Sequence, residues 1–221
     1  RDSSNPVFNA STDVGRCFRL NFNGQQVWGT IVSVSSTTSC AVSLGRMIPQ
    51  DPQIPTQLIA NAQTTIWQLG AWYVGNYPST VAFHEQRLVF GATTAQPQTL
   101  WFSNTGDYYN HAPTDEESNV LDSNAINVTI ASNYVNAILW LQTNNGVLLI
   151  GTLGGEWQAA SSSYGMPLSP KNIVCSEQTN HGSLASASQQ KVGSRILFVQ
   201  RSGNKIKELS YFFQTNILLM I

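Results

Sequence analysis

The sequence predicts an all-β protein, a partial β-propeller of four-stranded blades preceded by a small antiparallel β-barrel or meander. Three observations predict it. Amphipathic helical periodicity is nearly absent along the 221 residues. Short runs of β-branched, aromatic and aliphatic residues recur instead, broken by Gly, Asn, Pro and Ser clusters. Beyond Ile66 these runs repeat. Ile126 and Ile173, Leu148 and Ile196, and Trp157 and Ile206 are 47 to 49 residues apart. A period of roughly 40–50 residues with four short strands per unit is the signature of propeller blades.

Residues 1–13 read as an N-terminal fragment or linker. The module at 14–46 contains Cys17–Phe22, then Gln26–Val34, then Ser39–Leu44 after the turn Ser35–Thr38. Strands of about six residues with alternating polarity make a small antiparallel barrel or meander. Pro49, Pro52 and Pro55 mark 47–65 as a linker, because proline cannot donate to a paired strand.

The remainder, 66–221, reads as incomplete propeller. One quartet of strands is Ala125–Ile130, Ala137–Leu141, Val147–Thr152 and Glu156–Ala159. A second is Asn172–Cys175, Leu184–Ala187, Arg195–Val199 and Lys205–Leu209. An earlier partial copy shows in Arg87–Gly91 and Thr99–Ser103. Val147–Ile150 and Ile196–Val199 are apolar without alternation, as expected of strands covered on both faces. A single blade cannot bury both faces, so blades stack on one another. About three are visible, whereas a closed ring usually needs four or more.

Charge narrows the function. The chain has 11 basic and 12 acidic residues, a net charge of -1 and only 10% charged residues. Nothing in that balance drives tight binding to nucleic acid or to an anionic membrane. A polar, weakly charged surface suits a protein packed against other subunits, and also suits secreted β proteins. The three cysteines, Cys17, Cys40 and Cys175, are odd in number and widely spaced, unlike a disulfide framework or a zinc site. Cys17 and Cys40 fall in neighbouring expected strands and could touch. The simpler expectation is reduced, buried thiols made in a reducing cytoplasm. No run reaches the ~18 apolar residues of a membrane span, and no signal peptide is visible. A chain that opens on Arg1 and closes on Ile217–Ile221 reads as truncated at both ends.

No residue set reads as a site: catalytic, cofactor-binding and metal-binding residues are all expected to be none. His84-Glu85 invites a general-base role, but neighbours in a strand point to opposite faces. Asp107 follows Gly106 in a turn between strands. Asp115-Glu116-Glu117 lacks the alternating oxygen ligands of a calcium loop and reads as a solvated acidic loop. His181-Gly182-Ser183 has no nucleophile-elbow context. Gly151–Gly155 joins two strands with no helix following, so it reads as a tight hairpin and not a phosphate loop. The tryptophans at 28, 67, 72, 101, 140 and 157 read as core or blade-face residues, not a sugar platform.

Four stretches carry a likeness. They are Gly75–Gly91, Pro97–Tyr108, Leu148–Trp157 and Gln178–Ser183. Together they resemble the tail tubular, or nozzle, proteins of short-tailed bacteriophages, and the 14–44 meander resembles the FCCH-like barrel often inserted in them. The likeness covers roughly residues 14–211. It implies a structural, non-enzymatic virion protein of the tail, without cofactor, assembled in the bacterial host cytoplasm. It further implies a homo-oligomer, a hexameric ring that conducts the genome during DNA ejection. Its partners would be the adaptor and portal complex and the tail fibre or tip proteins, with transient contact to DNA in the lumen. The family continues past Tyr211 into more propeller and a tip region, whereas this chain stops ten residues later.

Two other readings compete. A carbohydrate-binding or carbohydrate-cleaving propeller would need a spaced carboxylate pair or Asp-box repeats, and neither is recognisable. A secreted eukaryotic propeller could use the glycosylation triplets Asn9-Ala10-Ser11 and Asn127-Val128-Thr129, but such triplets arise by chance in this composition.

Overall fold

The computed structural model describes residues 7–22, 24–45, 65–133, 136–163, 165–212 and 217–220. These form sixteen strands and, among the described residues, no helix. It follows that no described helix is long and apolar enough to cross a membrane. The protein is all-β, with four antiparallel four-stranded sheets divided between two compact units.

The first unit comprises residues 1–77 with 114–119. Its strands are β1 (Cys17–Phe22), β2 (Gln25–Ser36), β3 (Ser39–Leu44) and β4 (Trp67–Leu69), in the order β3-β2-β1-β4. On β3 exposed and half-buried residues alternate, the mark of a sheet with one face in water. Val27 and Ile31, four apart on β2, are fully buried. Phe8 and Phe18 pack on Trp67, with ring centroids 6.0 and 6.2 Å away. At the start of the unit the buried Asp13 carboxylate accepts Arg16 Nη1 at 2.8 Å and the Asn9 amide at 2.8 Å.

Two features of this unit differ from the sequence reading. β4 pairs with β1 (Phe18↔Leu69, Leu20↔Trp67), so residues 66–77 group with the first unit instead of opening the propeller. Three residues of strand carry too little periodicity to reveal their partner. Residues 114–119 also join this unit: Ser118 Oγ accepts Asn21 Nδ2 and Gln26 Nε2, each at 2.9 Å, and donates to the Gly24 carbonyl at 2.8 Å. The expected proline linker lies outside the described residues, apart from residue 65.

The second unit, 78–113 with 120–221, holds three successive sheets, each a simple up-and-down meander. The first is β5 (Thr80–His84), β6 (Arg87–Gly91), β7 (Thr99–Phe102) and β8 (Ile126–Thr129). The second is β9 (Ile138–Asn144), β10 (Val147–Thr152), β11 (Glu156–Ser161) and β12 (Ile173–Thr179). The third is β13 (Gln190–Val192), β14 (Arg195–Val199), β15 (Ile206–Phe212) and β16 (Ile217–Met220). These are blade-like sheets.

The repeat is out of phase with the sequence reading by one strand. Ile126–Thr129 closes the first sheet by pairing with β7, and Ile173–Thr179 likewise closes the second. Leu184–Ala187 is a turn, held by the Ala187 amide on the Leu184 carbonyl, and the first strand of the third sheet is Gln190–Val192. The Ile217–Met220 run is a paired strand, with Met220 opposite Leu209.

Packing follows from the registers. On β10, Leu148 and Ile150 face the first sheet, where they meet Val89, Leu100, Phe102 and Ile126. Leu149 faces the other way and packs with Trp140 against Ile196, Phe198 and Leu209 of the third sheet. A middle strand between two apolar layers therefore has no polar positions to alternate with. Each fully buried aliphatic side chain contributes roughly 1.5–3 kcal/mol to this stacking.

Candidate functional site

The polar side chains that carry chemistry in the second unit gather into two buried clusters, one where the first two sheets meet and one at the exit from the second. Both are built largely from the stretches singled out in the sequence.

The first cluster centres on the β5–β6 hairpin. Its turn residues Glu85 and Gln86 have φ of 45° and 57°, so both sit in the left-handed region that a two-residue hairpin of matching twist requires. That geometry overturns the expectation that His84 and Glu85 point apart, because Glu85 lies past the end of β5. His84 Nε2 sits 4.0 Å from Glu85 Oε1. The other Glu85 oxygen accepts the Leu168 amide at 2.6 Å. His84 Nδ1 lies 3.2 Å from Thr143 Oγ1, which donates to the Phe83 carbonyl at 2.5 Å. Burial holds the His84 imidazole below its usual pKa range, with Glu85 pulling the other way. Lys191 Nζ of β13 donates to the Thr143 carbonyl at 3.0 Å. Thr143 thus ties β5, β9 and β13 together.

Arg87 follows the same turn and is 1% exposed. Its guanidinium donates to the carbonyls of Ser103, Asn124 and Asp122 at 2.7, 2.6 and 2.8 Å. The rigid fork suits such divergent acceptors, and it pins the long β7–β8 excursion to β6.

The second cluster surrounds Glu156, which is fully buried at the start of β11. Its carboxyl accepts the Thr179 hydroxyl and, at 3.1 Å, that of Ser183. The backbone amides of His181 and Gly182 also face it. Burial raises its pKa, and these four donors oppose the rise. Ser183 Oγ in turn accepts Trp140 Nε1 at 2.9 Å. Gly182 makes the approach possible, at φ 70° with its Cα so close to the Leu153 carbonyl that a Cβ would lie 2.2 Å from it.

These geometries define the chemistry available. Thr143 gives its single hydroxyl proton to Phe83, so His84 is not positioned to take it. Ser183 is 1% exposed and gives its proton to a buried carboxyl, which is not the setting of a nucleophile. In both clusters the polar groups join separate strands and loops, in the first mainly through backbone and in the second mainly through side chains.

The remaining candidates sit apart from both clusters. Asp107 is exposed in the turn bridged by Asn104 and Asp107. Asp115 caps its own loop, accepting the Asn119 amide at 2.7 Å, and Glu116 offers its carbonyl to the Gln26 amide. Among the described residues no group of three His, Cys, Asp or Glu side chains could hold a metal ion. Within Gly151–Gly155, Thr152 Oγ1 donates to the Gly155 carbonyl at 2.6 Å across a tight β10–β11 hairpin. Trp101, Trp140 and Trp157 are buried, while Trp28, Trp67 and Trp72 are half-buried. The cysteines are free, and two expectations about them change. β1 and β3 flank β2 on opposite sides, which keeps Cys17 and Cys40 from being neighbours, and Cys17 is exposed, not buried.

The sequence reading missed Thr143 and Glu156 as partners in these clusters. No spacing rule links His84 to Thr143 across 59 positions. An acid beginning a strand reads as solvent-facing until its sheet is covered. No family model matches this chain, and no curated protein matches it.

Proposed function

We propose that this chain is a structural subunit of a bacteriophage tail tube, a nozzle-type protein that associates into a hexameric ring, conducts the genome and performs no catalysis. The observation that carries the reading is the use made of the polar residues in the resembling stretches. Arg87, Glu156 and Ser183 are all buried: Arg87 and Glu156 bind backbone of neighbouring loops, and Ser183 links Glu156 to Trp140 through side-chain hydrogen bonds. Side chains used for such ties serve a rigid scaffold, as a conduit requires.

Two further features support it. Three blade-like sheets in series follow a small antiparallel sheet, the order expected of a propeller subunit with a barrel-like module. The surface carries little charge, with 10% charged residues overall, which favours broad packing against neighbours and does not hold passing DNA electrostatically.

Light scattering on the protein, alone and with a portal and adaptor complex, tests the proposal. A ring that forms on or with that complex is the expected result. A stable monomer that ignores the complex overturns it.

A further inference from the structure

His84 combines burial with an unmet hydrogen-bonding atom at a joint between sheets. It is 2% exposed. Its Nδ1 faces Thr143 Oγ1 of β9 at 3.2 Å, and that hydroxyl spends its only proton on the Phe83 carbonyl. The hydrogen of the histidine–threonine bond must therefore come from the ring. This assigns the neutral Nδ1–H tautomer, with the lone pair on Nε2. Nε2 is buried, makes no hydrogen bond among the described residues, and looks at Glu85 Oε1 from 4.0 Å.

The charged groups around the ring are few. Glu85 lies on its own turn. Arg87 of β6 spends its guanidinium on carbonyls. Lys191 of β13 reaches the Thr143 carbonyl from the third sheet. β9 itself has no titratable side chain.

We propose that His84 is a proton-operated catch between the first two sheets: neutral, it fastens β5 to β9 through its Nδ1–H bond to Thr143, and a proton added at Nε2 leaves that bond in place but buries a cation that loosens the joint. A second proton would place a cation in a pocket lined by the sheet interface, with one carboxylate too distant for a hydrogen bond. Burial accordingly holds the imidazole below its usual range despite the pull of Glu85. The unfolded chain takes the proton first as pH falls. The stability contributed by His84 is complete above about pH 6.5 and is lost as pH drops through the lower value of the folded state.

The test compares the protein with His84→Asn, which keeps a side-chain N–H within reach of Thr143 but does not titrate. Melting temperature and amide exchange in β5 and β9 are followed from about pH 7.5 down to about pH 5. The parent is expected to exceed the variant in melting temperature at the upper end and to lose that margin towards the lower end. Exchange in β5 and β9 should quicken relative to the variant over the same interval. Desolvation also holds the half-buried His111 below its usual range, so His111→Asn is run in parallel and should leave the margin unchanged. Equal pH slopes in the parent and His84→Asn overturn the proposal, as does a slope that disappears only with His111→Asn. Should His84→Asn fail to fold, NMR titration of the parent's His84 ring decides. A midpoint well below about 6.5 is expected, and an ordinary midpoint overturns the catch.

Discussion

Trp140 occupies the space a side chain at Gly151 would need: a Cβ on Gly151 would lie 1.9 Å from the indole ring. The two residues pair across β9 and β10, and the indole reaches on to Ser183. Gly151→Ala should therefore cost at least ~3 kcal/mol, measured by urea unfolding, since overpacking a core without slack forces backbone shifts. Trp140→Leu in the same chain should recover part of that loss, a non-additivity expected of residues in contact.

Ser183→Ala removes one donor from the buried Glu156 carboxyl and the acceptor of Trp140 Nε1 together. Trp140 Nε1 then lacks a partner while Glu156 keeps three of its four donors, so a loss of about 2 kcal/mol is expected. The same denaturation experiment reads it, and a change under about 0.5 kcal/mol would contradict the cluster as described.

Arg87→Lys tests the carbonyl fork. A lysine places its donors on one atom and cannot reach Ser103, Asn124 and Asp122 at once. The expected loss is about 3 kcal/mol, despite the conserved charge, with faster amide exchange in the β7–β8 excursion.

Gln86→Gly should stabilise the protein. Gln86 holds φ 57° with a side chain attached, and its carbonyl still accepts the Gly106 amide after the change. Relief of the left-handed strain exceeds the extra entropy cost of glycine, giving a net gain of about 0.5–1 kcal/mol in the unfolding free energy.

Thiol labelling separates the cysteines. Burial pushes the Cys175 thiol up to about 11, leaving little thiolate near neutral pH, whereas Cys17, though also raised by desolvation, is an exposed residue. An aromatic disulfide reagent should modify Cys17 and Cys40 before Cys175, which it should reach only on unfolding. Equal rates in the native state would contradict the packing of β12.

What was legible in the sequence depended on pattern length. β10 announced itself, because its apolar run has burial on both faces to explain it. The division into sheets was not legible: sliding every boundary by one strand leaves all repeat spacings unchanged, and only the pairing of β8 with β7 decides it. β13 is three exposed residues, Gln190–Val192, and has no hydrophobic signature to find. Individual site residues were visible as types, but their partners were not. His84 reads as a strand residue until the hairpin places Glu85 beside it and β9 places Thr143 beyond it.

The grouping of 114–119 with the first unit has a bearing on dissection of the protein. The polypeptide leaves that unit after Tyr77, returns to it at Thr114 and departs again after Asn119. No single cut separates the two units. A truncation beginning at Pro78 would carry Ser118 away from the Asn21 and Gln26 amides it accepts and strand it in water. The first unit expressed without that loop would expose those amides in turn. Clean modules should come only from excising 114–119 along with the leading residues and closing the gap between Pro113 and Val120 with a short flexible splice.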